Sequence, residues 1–185
     1  MPGVCGGRTP LKRERAEIGV SNEVIVRGPG EGRTLLVGGS DYVTYKIRSA
    51  ETERAYFCFE VSATPGFGPP PRRHAYRELF YVLDGEYEFT LMQDGATRTL
   101  VGTPGTALAI EPDVPHTFRN VSHSQARLLI THVPAALEEF FEDFGVPVDR
   151  VGEEPEGLEA PDFAGMAAAL ERNGVHVMAA QRSLP

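Results

Sequence analysis

From about residue 24 to residue 134 the sequence is a succession of short runs in which apolar and polar residues alternate, each closed by Gly, Pro, Asn, Asp or Ser. Alternation with a period of two marks a half-buried strand, because successive side chains leave opposite faces of the pleat. Tyr87, Phe89 and Leu91 oppose Glu86, Glu88 and Thr90, and Asp94-Gly95 follows as a hairpin signal. Roughly ten such strands, turning about every ten residues, predict a closed or double-sheet antiparallel architecture. No strand-helix-strand rhythm appears. The chain contains no Trp, so the Cys…Trp…Cys core of an immunoglobulin-like sandwich is missing. The expected fold class is all-β, an antiparallel jelly-roll barrel with a C-terminal α-helical extension.

Residues 1–21, rich in Gly, Pro and Arg/Lys and without a period, read as a flexible N-terminal arm. The barrel is expected over 22–134, beginning with VIVR at 24–27 and TLLV at 34–37, and the helical extension over 135–185. In that extension Leu137, Phe140, Phe141 and Phe144 form one helical stripe ended by Gly145. A Pro-rich acidic linker follows. Asp162 is placed to cap a second helix with Phe163, Met166, Ala167 and Leu170 on its apolar face, and VHVM at 175–178 reads as an edge strand.

A net charge of −8 over 185 residues argues against a nucleic-acid partner, which needs a basic field to displace counterions. Cys5 and Cys58 lie in unlike contexts and read as unpaired, which suits a reducing compartment. With no apolar run of membrane-spanning length and no signal-peptide core, the expectation is a cytoplasmic protein without a membrane partner. Exposed strand edges suggest a homodimer.

The chemistry concentrates in GFGPPPRRHAYRELFYVLDG, residues 66–85, and GTALAIEPDVPHTFRN, residues 105–120. Arg72, His74 and Glu78 share strand parity, so their side chains project to one side. His116 follows Val114-Pro115, a stiff turn that can aim it across the barrel. Two imidazoles and a carboxylate with open positions form the facial set used by non-haem iron enzymes, and Mn, Ni or Zn accept the same ligands. Arg72 is different: a guanidinium has no lone pair for a metal. Turned inward it competes for Glu78, and a bidentate pair between the two would occupy the carboxylate and leave the site without a cofactor.

These two stretches resemble the paired motifs of the cupin superfamily, G-x5-H-x-H-x3-E-x6-G and G-x5-P-x-G-x2-H-x3-N. Gly66, His74, Glu78 and Gly85 match the first, and Gly105, His116 and Asn120 match the second. Arg72 stands where the first His belongs, and Glu111 and Asp113 stand where Pro and Gly belong. Over about residues 22–180 the pattern is similar to single-domain quercetin dioxygenase-like cupins. The resemblance implies a jelly-roll barrel and, for function, dioxygenases, isomerases, cyclases or metal-free binding proteins.

The leading expectation is therefore a small-molecule enzyme, a mononuclear-metal oxidoreductase of dioxygenase type acting on an aromatic or polyketide-like substrate. His74, Glu78 and His116 would hold the metal, with Fe(II) favoured. The same three residues and Arg72 form the catalytic set, Arg72 binding an anionic or enolate oxygen. The alternatives are a metal-free cyclase or isomerase using His74, His116 and Glu78 as acids and bases, and a non-catalytic small-molecule-binding module. Tyr45, Tyr56, Phe59, Phe80, Phe89, Phe118 and His132 are candidates to line the substrate pocket, although alternating aromatics in strands also read as plain core. His123 and His176 read as surface residues.

Overall fold

The computed structural model describes residues 24–178; the arm expected over 1–21 and Cys5 lie outside the described residues. Twelve strands pair antiparallel in two sheets: β1 (Thr34–Val37), β2 (Asp41–Ile47), β3 (Phe57–Ala63), β4 (Arg72–His74), β5 (Arg77–Asp84), β6 (Tyr87–Gln93), β7 (Ala96–Gly102), β8 (Ala107–Ile110), β9 (His116–Asn120), β10 (Ala126–Val133), β11 (Val146–Val148) and β12 (Val175–Val177). Seven form one sheet in the order β11-β1-β2-β3-β10-β5-β8, and five form the other in the order β12-β4-β9-β6-β7. The jelly-roll expectation is met. At the tip of the β6–β7 hairpin both Asp94 and Gly95 have positive φ, as a two-residue turn between right-twisted strands requires.

The two sheets meet through aromatic side chains placed by strand parity. Phe80 from β5 packs edge-on against Phe89 of β6 and Phe118 of β9, each at 5.4 Å between ring centroids. Phe57 and Phe59 of β3, Leu128 and Ile130 of β10, and Tyr87 of β6 complete a buried cluster. Each such side chain contributes about 1.5–3 kcal/mol on leaving water, so this layer holds the barrel closed.

Several expectations change. VIVR at 24–27 forms no strand, and Val24 and Val26 are exposed. The first helix, α1 (Glu138–Phe144), starts after Leu137, which sits in the left-handed region at its N-cap. Phe140 is buried and Phe141 packs on Phe59 at 5.2 Å. In the second helix, α2 (Phe163–Arg172), Asp162 accepts from the Gly165 backbone as a cap should. Phe163 is exposed there, and the buried residue is Ala169. Residues beyond 134 also add a strand to each sheet. β11 pairs with β1, unforeseen because Pro147 interrupts its run, and β12 pairs with β4.

Candidate metal centre

Every second residue from Arg72 to Val82 is buried and every residue between is exposed. β4 and β5 thereby aim Arg72, His74, Tyr76 and Glu78 inward. Glu78 is 2% exposed and lies at the centre of the group. Its Oε2 is met by His74 Nε2 at 2.9 Å and His116 Nε2 at 2.8 Å, and its Oε1 by His132 Nε2 at 3.2 Å. Arg72 Nη2 donates to both oxygens, at 3.2 and 3.3 Å. His116 comes from β9, whose register places it opposite Arg72. His132 comes from β10, opposite Glu78 itself.

The other nitrogen of each ring is also fixed. His74 Nδ1 lies 2.9 Å from the Tyr76 carbonyl, His116 Nδ1 2.8 Å from the Val114 carbonyl, and His132 Nδ1 2.9 Å from the Ala136 carbonyl. A carbonyl oxygen only accepts, so each Nδ1 carries a proton, and a neutral ring then turns a bare lone pair at Nε2 toward Glu78. The carboxylate is itself an acceptor. Charging all three rings would convert the contacts to hydrogen bonds but would gather four cations with Arg72 around one carboxylate, away from water.

This donor set fits a metal ion. Nε2 of His74, Nε2 of His116 and a Glu78 oxygen lie within 4.8 Å of one another. Donors at neighbouring positions around a first-row ion, with bonds of about 2.1 Å, stand roughly 3.0 Å apart. The 2.9 and 2.8 Å nitrogen-to-carboxylate spacings are close to that. Metal-bound histidines also characteristically donate their second N–H to a carbonyl or carboxylate. His132 brings its Nε2 to 3.2 Å from the other oxygen of Glu78 and closes that side of the carboxylate.

Arg72 does pair with Glu78, as the sequence allowed, but not fork to fork. Only Nη2 reaches the carboxylate, at distances longer than the roughly 2.7–2.9 Å of a strong charge-assisted bond. Nη1 is buried without a hydrogen-bond partner among the described residues, and the guanidinium rests 5.3 Å from the centroid of the Phe118 ring. Burial alone would raise the Glu78 carboxyl; the charge of Arg72 leads the opposing causes, and the group is held well below the usual carboxylate range. Burial pulls His74 down from its ordinary value, against the opposing pull of Glu78.

Tyr76 is the residue that the sequence reading passed over. Its ring stacks on His74 at 3.7 Å with 3° between the planes and lies 4.7 Å from the His132 ring. Its hydroxyl is buried without a partner among the described residues, and burial with the nearby Glu78 charge pushes the phenol up. Parity with Arg72, His74 and Glu78 was the signal available for it. Of the proposed pocket residues, Phe118 underlies Arg72, Phe80 lies 6.3 Å from His116 and Phe59 5.1 Å from His132. Phe89 packs behind Phe80. Tyr45 is core, its hydroxyl reaching the Glu138 carbonyl. Tyr56 is a correction: at 37% exposure it lies outside the barrel, because the inward parity of β3 belongs to Phe57 and Phe59. His123 and His176 are exposed, as expected.

The family model described as Cupin domain matches residues 59–132, a span holding both motif stretches and ending on His132. The fold is a cupin jelly roll. Among solved structures, a recombinant oxalate oxidase in complex with glycolate is 21% identical over 52% of this chain and 52% of its own, with a TM-score of 0.45. Oxalate decarboxylase from Bacillus subtilis is 16% identical over 64% of this chain and 30% of its own, with a TM-score of 0.50. The chain thus spans about half the length of the first and under a third of the second. At these identities the likeness concerns the cupin fold, which hosts many chemistries. No curated protein compared with the chain matches it. Among the described residues no helix is long and apolar enough to cross a membrane.

Proposed function

We propose that this cupin is a small-molecule enzyme whose centre holds one divalent metal ion on His74, Glu78 and His116, Fe(II) being the favoured ion. The reaction proposed is an oxidoreductase reaction of the dioxygenase type on a compact aromatic or polyketide-like substrate. One observation carries this reading: two imidazole Nε2 atoms converge on Glu78 Oε2 while both Nδ1 atoms are tied to backbone carbonyls. When bound, such an ion polarises a substrate oxygen and, if redox-active, exchanges electrons with it. The chain's own groups do the rest. The carbonyls of Tyr76 and Val114 fix the two rings, Arg72 fixes the carboxylate, and Phe80 and Phe118 keep water from the floor of the site.

Tag-free protein, stripped of metal and reconstituted anaerobically with Fe(II), is expected to bind close to one ion per chain. Absence of bound metal, with Glu78→Ala retaining the same small amount as wild type, defeats the reading. The Arg72–Glu78 pair favours a second reading, in which the imidazoles and Glu78 act as acids and bases of a metal-free cyclase or isomerase. That reading requires turnover that survives strong chelators, and the metal reading requires its loss.

A further inference from the structure

Two hydrogen-bond donors at this centre are left over. Arg72 Nη1 and the Tyr76 hydroxyl are both buried and unpartnered among the described residues. Buried polar groups are nearly always paired, so two orphans on side chains bordering one centre ask for a missing acceptor. They are also the least enclosed of the inward-facing group: Arg72 is 6% exposed and Tyr76 7%, against 1–3% for His74, Glu78, His116 and His132.

Their surroundings specify the acceptor's charge. Nη1 belongs to the guanidinium whose Nη2 already rests on Glu78, so it lies beside the carboxylate. The Tyr76 hydroxyl is set beside His74 by the 3.7 Å ring stack. Arg72 cancels the charge of Glu78, so a divalent ion on His74, Glu78 and His116 would bring both its positive charges uncompensated into a buried place. A third histidine at position 72 would have left only one. Such a centre calls for an anion, and both orphan groups donate.

Resting on the reading of this centre as a ligand-binding site, we propose that the substrate carries an anionic oxygen, a carboxylate or an enolate, received jointly by Arg72 Nη1 and the Tyr76 hydroxyl. Arg72 thus replaces a metal ligand with a substrate ligand. Tyr76 gives the receptor its second point, which fixes orientation as well as charge.

The test is calorimetric titration of the full chain, chelator-treated and Mn(II)-loaded, with benzoate, its neutral counterpart benzamide, and acetylacetone as an enolate source. An anionic oxygen is expected to bind, and benzamide to bind at least tenfold more weakly. Loss of a hydrogen bond to a charged group weakens binding roughly ten- to a hundredfold, and Arg72→Gln should fall in that range. Tyr76→Phe removes only an unpartnered hydroxyl, so it should fold normally, bind Mn(II) as wild type does and lose about tenfold for the anion. Binding of benzoate but not acetylacetone selects the carboxylate, and the reverse selects the enolate; either supports the proposal. Wild-type anion affinity in Tyr76→Phe and Arg72→Gln, or equal binding of benzamide and benzoate, overturns it. Mn(II) binding with no anion binding overturns it while leaving the metal reading standing. Tyr76-dependent anion binding by a chain that takes no Mn(II) upholds it and removes the metal.

Discussion

Glu78→Gln probes the centre most directly, because the substitution keeps shape and removes one charge. Glu78 receives Arg72, His74, His116 and His132 at 2.8–3.3 Å and is 2% exposed. Neutralising it leaves the Arg72 guanidinium, itself 6% exposed, without its counter-charge. Removing one partner of a buried ion pair costs about 3–5 kcal/mol. For a domain of this size that lowers the thermal midpoint by roughly 6–20 °C. Replacing the pair as a whole is much less damaging, so Glu78→Gln/Arg72→Met should regain about 2 kcal/mol or more over the single Glu78 variant. Urea unfolding of the four proteins of this cycle, with chelator present throughout, measures the coupling. A Glu78→Gln protein within about 1 kcal/mol of wild type, or two losses that simply add, would refute the claim that these groups compensate one another.

Other outcomes follow from separate parts of the molecule. His132→Gln should weaken Mn(II) binding by roughly 10- to 100-fold, whereas His116→Gln should abolish it, since one ring packs against the Glu78 carboxylate and the other is a ligand; equilibrium dialysis distinguishes the two. Asn120, fully buried, donates to the Ala63 and Ser124 carbonyls and accepts from Ser122. Asn120→Ala should cost about 2–4 kcal/mol in urea unfolding while metal stoichiometry is retained. A methyl at Gly68 would overlap the Phe118 carbonyl on β9, so Gly68→Ala should lower the thermal midpoint by several degrees, about 1–3 kcal/mol of strain. Burial would raise the Glu138 carboxyl, but hydrogen bonds from Ser49 and Arg48 hold it below its ordinary 4.5. Its contribution is therefore complete above pH 4.5 and is lost as pH falls through the lower folded value. Denaturant midpoints of wild type and Glu138→Gln should differ by about 1 kcal/mol at pH 7 and converge in acid, and an equal gap at both pH values would disprove the pairing.

What was legible in the sequence was whatever a local period could encode. Strand parity alone places Arg72, His74 and Glu78 on one face, and burial follows that parity without exception from Arg72 to Val82. The same rule contained Tyr76, which was missed because a tyrosine between two ligands carries no motif letter. VIVR is as apolar a run as TLLV, yet only TLLV finds a partner, since pairing depends on residues elsewhere in the chain. The convergence of His132 on Glu78 was beyond reach for the same reason: it is fixed by the antiparallel register of β5 and β10. The helix stripe at 137–144 gave the right segment but not its start, because Leu137 takes a left-handed turn to meet the loop at Ser49, where the Glu138 carboxylate accepts from the Ser49 backbone and Arg48.

β4 is three residues long and touches β9 at the single pair Arg72–His116, but β12 matches it along its whole length, Val175 to His74, His176 to Arg73 and Val177 to Arg72. Arg72 and His74 thus depend for their register on a strand synthesised after every other described element. During translation the carboxylate and the remaining histidines can be in place while the strand bearing Arg72 and His74 still lacks its main partner. A fusion or cleavage near residue 175 is therefore expected to act on the chemistry before it acts on the barrel.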